Sequence, residues 1–130
     1  ETWFFKNNPQ HIFIARGNKN EAEKVSWNRF KECDTPSGSP MHNTIGDAYR
    51  HAYFAALNTH NMGYASAKSL GDAHECDVPS HILNEKQMDL YNNDWGYLYG
   101  STVSFVNEKQ FYDSFMDAVN KVKIIQQCQL

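Results

Sequence analysis

Apolar positions along this chain recur mostly at three- and four-residue steps, interrupted at a few sites rich in Gly, Pro, Ser and Asn. That rhythm predicts helices. It is clearest near the C-terminus, where Phe111, Phe115, Ala118, Val122 and Ile125 form one stripe beside Tyr112, Met116 and Val119. Asn107 is placed to cap that helix, with Gln110 three residues on as its return partner. At the other end, Asn8-Pro9 reads as a cap and a first-turn proline, opening a short helix through Arg16 that Gly17 stops. A second helix is expected from about Asn20 to Lys31, with Ala22, Val25, Trp27 and Phe30 as its apolar positions. Asp34-Thr35-Pro36-Ser37-Gly38-Ser39-Pro40 is dense in breakers and is expected to form a surface loop.

From Ile45 to about Thr59 the chain is rich in Ala and aromatics, which favours a packed helix. Asn61-Met62-Gly63 marks its end, and another helix follows from Tyr64 to about Glu75. There Ala65, Ala67, Leu70 and Ala73 leave room for a close neighbour. Val78-Pro79-Ser80 is a second break. A further helix is expected from about Asn84 to Tyr99, with Gly96 as a weak interior point. Ser101 to Val106 is the only strand-like stretch, too short to build a sheet. The reading is an all-α, single-domain bundle of five or six helices over residues 1–130.

Composition narrows the class further. A length of 130 residues, 41% of them hydrophobic and 14% aromatic, suits one folded domain rather than a disordered chain. No apolar run approaches the ~18 residues of a membrane-spanning helix. A net charge of −3 without a basic block argues against nucleic acid as a partner, although a local pocket can still grip a phosphate. The sequence begins at Glu1, so it reads as a processed product or an excised domain with no signal peptide to inspect. Cys33, Cys76 and Cys128 lack the spacing of a zinc ribbon. They are three buried thiols, or one disulfide plus a free thiol in a secreted or periplasmic protein.

Three clusters of polar residues break the pattern of a pure core. Asp47, Arg50, His51 and Phe54 fall on one helical stripe, and His74-Glu75 closes the next helix. Asp89, Asn92, Asn93 and Gly96 make a third stripe. A single such stripe looks the same as a solvated face. Three on consecutive helices joined by short breaks should meet as antiparallel neighbours. Asp47, His51, His74, Glu75, Asp89 and Asn93 are the expected ligands of a divalent metal, Zn or Ca. His51, His74, Glu75 and Arg50 are the expected catalytic groups, with Arg50 suited to hold a phosphate or carboxylate. The competing reading has Arg50 neutralising Asp47 or Glu75 in a buried structural network. His42 and His81 flank the region as supplements, while His11 and His60 read as surface residues. Cys76 adjoins His74-Glu75, but nothing in the sequence activates its thiol.

D-A-Y-R-H-A-Y-F-A-A-L from Asp47, G-D-A-H-E from Gly71 and M-D-L-Y-N-N-D-W-G-Y from Met88 resemble the motifs of a bacterial domain family of unassigned function. That family occurs in secreted proteins, lipoproteins and the toxin-like ends of larger polypeptides. The likeness spans about fifty residues and implies an all-helical fold with a polar site at Asp47, Arg50, His51, His74, Glu75, Asp89, Asn92 and Asn93. Tyr91 and Tyr97 stand where the family pattern has His and Arg. The functional expectation is a secreted or effector-type hydrolase-like domain acting on a phosphoester, lipid or cell-envelope bond. The alternative is a secreted binding or structural module with an unknown partner protein.

Overall fold

The computed structural model describes residues 2–31, 45–76 and 83–120. These residues form an all-α bundle: α1 (Thr2–Asn7), a 3-10 turn (Pro9–His11), α2 (Ile12–Phe30), α3 (Ile45–Met62), α4 (Tyr64–Cys76), α5 (Leu83–Thr102) and α6 (Glu108–Asn120). The 34–40 loop, the Pro79 break, Cys33, Cys128, His42, His81, Val122 and Ile125 lie outside the described residues, as do the side chains of Glu75 and Cys76. No helix among the described residues is long and apolar enough to cross a membrane.

Helix α3 is the centre, packed on α2, α4 and α5. One side of it is lined by small residues: Ala48, Ala52, Ala55 and Ala56 are all buried. Against that side α5 runs parallel to α3, with Gly96 over Ala52 and Ala55, and Gly100 over Ala56 and Thr59. Gly96 is therefore a packing contact and not a weak point in its helix. Helix α4 returns antiparallel to α3 after Gly63, whose φ of +89° suits the left-handed residue that ends a helix.

The adjoining stripe of α3, continuous with Ala52 and Ala56, carries the aromatic core. Tyr49 is fully buried and meets Phe30 of α2 and Phe111, Tyr112 and Phe115 of α6. Trp95 and Tyr99 of α5 close on Phe111 from the far side. The Tyr49 hydroxyl donates to Glu108, which also accepts two 2.6 Å hydrogen bonds from Arg29. The Arg29 guanidinium in turn lies 3.8 Å from the Tyr112 ring centroid. Arg29 holds the Glu108 carboxyl below its ordinary range, and burial raises the Tyr49 hydroxyl well above its own. This bridge joins α2, α3 and α6 through residues that the hydrophobic pattern does not mark.

Asn107 caps α6 as expected, its Oδ1 accepting from the Gln110 backbone N–H at 3.0 Å. Two expectations are corrected. Gly17 stops nothing: α2 runs through it without a break, held on both sides by buried Ala15, Ala22, Ser26 and Phe30. Ser101 to Val106 holds no strand, since α5 continues to Thr102 and bends follow. Residues 2–7, to which the sequence pattern assigns no element, are helical as well. A Cβ on Gly17 would meet no atom within 4 Å. Gly17→Ala is therefore expected to stabilise the protein by about 0.5–1 kcal/mol through helix propensity alone. A thermal melt checks it, and an unchanged or lowered midpoint would refute the account.

Candidate functional site

Asp47 sits in the first turn of α3, where the helix dipole favours a carboxylate. Its side chain is nevertheless only 3% exposed, so its charge needs partners. The helical repeat supplies two. Arg50, three residues on, donates to Asp47 Oδ1 at 2.6 Å, and His51, four residues on, places Nε2 at 3.6 Å from the same oxygen. Helix α5 completes the group: Asp89 Oδ1 lies 3.5 Å from His51 Nε2. Asn93, one turn beyond Asp89, hydrogen-bonds the His51 side chain. Asn92 is fully buried beside it.

One ligand atom each from Asp47, His51 and Asp89 lie within 4.8 Å of one another, the only such trio of His, Cys, Asp or Glu among the described residues. Burial lowers the His51 pKa to about 4, aided by the positive neighbour Arg50 and by His74, while Asp47 and the Asn93 hydrogen bond pull the other way. The ring is thus neutral near pH 7, and one of its nitrogens keeps a lone pair.

His51 also faces a cavity of about 330 Å³ between α2, α3, α4 and α5. Arg50, His74 and Asn93 share its His51 end. The middle is apolar, with Ala22, Phe54, Ala55 and Leu70. Lys19, Glu23 and Asn58 line it as well. The volume is at the small end of the range of about 300–1,000 Å³ for small-molecule sites.

The sequence-derived residues therefore separate. Asp47, His51 and Asp89 form the trio, Asn93 supports it, and Arg50 links it to the cavity. His74 is solvent-exposed on the cavity wall and outside the trio. Tyr97, where the motif has Arg, is 2% exposed and lines the cavity, its hydroxyl packed against Gly71. Tyr91, where the motif has His, is 43% exposed and lines no part of the cavity. Lys19, Glu23 and Asn58 were not singled out from the sequence. Lys19 and Glu23 look like an ordinary polar helix face, and only the packing of α2 on α3 brings them here.

No curated protein and no solved structure matches the chain. A family model does, over residues 2–123, which takes in every described helix. With its all-helical bundle and a polar His/Asp cluster beside a cavity, the chain belongs to the family described as Domain of unknown function (DUF6973).

Proposed function

We propose that this domain is a hydrolase acting on an anionic ester, a phosphoester first, at the end of the cavity where His51 meets Asp47 and Asp89. In this reading those three residues hold a divalent ion. The observation that carries it is their spacing. Two ligands on a tetrahedral ion with bonds near 2.1 Å sit about 3.4 Å apart. His51 Nε2 is 3.5 Å and 3.6 Å from the two carboxylate oxygens. Ligation also requires an unprotonated imidazole, which burial of His51 provides. A donor set of one nitrogen and two carboxylates favours zinc over calcium, which takes six to eight oxygens. A zinc ion there would polarise the ester and lower the pKa of water.

The remaining residues have work of their own. Arg50 spends one N–H group on Asp47, orienting that carboxylate, and its side chain is 40% exposed at the cavity. Its remaining donors suit a two-point grip on a phosphate. Asn93 fixes the His51 ring. With His51 as ligand, proton transfer falls to His74 on the cavity wall or to neighbouring Glu75. We extend the reading to a secreted or effector-type protein on the motif resemblance alone.

Zinc added to the purified protein should bind at about one per chain and support hydrolysis of 4-nitrophenyl phosphate. His51→Asn should weaken binding by more than about tenfold while helical content persists. No binding, or full binding by the variant, sinks the reading. One observation favours a second reading, a non-catalytic module with a buried network. Arg50 already neutralises Asp47, on the same oxygen that faces His51. Under that reading His51→Asn and Asp89→Asn lower the melting temperature, and zinc has no effect on either protein.

A further inference from the structure

The cavity has two polar ends, and only one belongs to the trio. Asn18 of α2 donates to Asn58 and Asn61 near the C-terminal end of α3, while Phe30 at the other end of α2 meets Tyr49 near the start of α3. The two helices therefore run antiparallel. Asn18 fixes this end of α2 on Asn58, so Lys19, the next residue, lines the cavity toward the Asn58 end and away from the Arg50 and His51 end. From Arg50 to Asn58 the α3 backbone rises about 12 Å. Between them the wall is apolar, with Ala22, Phe54 and Ala55 joined by Leu70 of α4.

Lys19 has no ion-pair partner among the described residues, although Glu23 is only one turn away on its own helix. Asn58 is 2% exposed, and its Oδ1 is taken by the Asn18 amide at 2.9 Å. What Asn58 has left to offer a ligand is its N–H donors. A cation and an amide donor at one end of an apolar channel recognise an acceptor with negative charge. Glu23 sits nearer the middle of the channel, where it repels an anion that stops short of Lys19.

We propose that Lys19 and Asn58 form a second anion subsite, so that the substrate is a small elongated molecule with a carboxylate or similar group at the end opposite its reactive phosphoester. An apolar, ring-sized spacer fills the belt between. This rests on the reading of the His51 end as the reactive one. Both Lys19 and Arg50 are long side chains, so the gap between their charged heads is shorter than the backbone span.

The test compares two probes, phenyl phosphate and 4-carboxyphenyl phosphate, by calorimetry with and without zinc. The carboxylated probe should bind about tenfold more tightly, the gain expected of one charge-assisted contact in a half-open site. Lys19→Met should bring the ratio of the two affinities close to one, and Lys19→Arg should keep most of it. Lys19 is solvent-exposed, so neither substitution threatens the fold. A ratio near one in the unsubstituted protein overturns the subsite, as does a ratio that survives Lys19→Met or a failure of both probes to bind. Zinc dependence and turnover report on the His51 end separately. A preserved ratio without turnover keeps the subsite and removes the hydrolase.

Discussion

Gly96→Ala is expected to destabilise the protein by about 3 kcal/mol, lowering its melting temperature by roughly 10 °C. A Cβ at that position would lie 2.2 Å from the Ala52 carbonyl oxygen and 2.8 Å from the Ala55 Cβ. The first of these is backbone in the middle of α3 and cannot swing aside as a side-chain tip can. Relief requires α5 to move away from α3 along their shared face, which opens the contact between Gly100 and Ala56 too. Helix propensity works in the opposite direction, since Ala is favoured over Gly by about 1 kcal/mol in a helix interior. At Gly17 nothing opposes that gain; at Gly96 the overlap exceeds it. Gly100→Ala should fall between them, because its closest contact is longer, 2.6 Å to the Ala56 oxygen. Thermal or denaturant unfolding of the three variants gives the order directly. A Gly96→Ala protein as stable as the parent would mean that α3 and α5 do not approach as described. Asp89 would then no longer be tied to His51.

Such close packing explains what could and could not be read from the sequence. The bundle was legible, because Phe111, Phe115 and Ala118 repeat with the helical period and Asn107 has the chemistry of a cap. The meeting of Asp47, His51 and Asp89 was legible as well. Polar residues one turn apart on consecutive helices share a stripe, and short connections make those helices neighbours. Glycine was read wrongly at two positions for one reason. Its effect depends on what lies across from it, and that is tertiary information. Gly17 resembles a stop and lies in open space within a continuous helix. Gly96 resembles a defect and is the point where two backbones touch. The α2 side of the cavity was hidden in the same way. Lys19 and Glu23 sit among other charged residues on a helix with little amphipathic pattern. Nothing local marks them until Asn18 locks onto Asn58. The bridge from Arg29 to Glu108 and Tyr49 joins residues 79 and 59 positions apart in sequence, beyond the reach of any periodic pattern.

Without added divalent ions, the protein should lose up to about 3 kcal/mol of stability as the pH falls from 6.5 to 4, because of His51 alone. In the unfolded chain this imidazole takes up a proton near pH 6.5. In the folded protein burial delays protonation to about pH 4. Between those values the unfolded state binds one more proton than the native state, so stability rises with pH across the window. It is fully present above 6.5 and lost by 4. The groups around the ring set the size of the effect: Asp47 and Arg50 on its own helix, His74 on α4, and Asp89 and Asn93 on α5. Asp47 attracts the proton, but Arg50 already neutralises much of that charge, so desolvation dominates. Glu108, whose pKa is lowered by Arg29, also loses its contribution on acidification, but only below the ordinary carboxylate range. Of these two groups, His51 dominates the interval from pH 6.5 to 4.5. Urea unfolding at steps through that interval should show a clear slope in the parent and a much flatter one in His51→Asn. Equal slopes would mean that the ring is not buried between α3 and α5, and that its neutral state at pH 7 owes nothing to the fold. If the slope is present and zinc deepens it, the same lone pair that refuses a proton is accepting an ion.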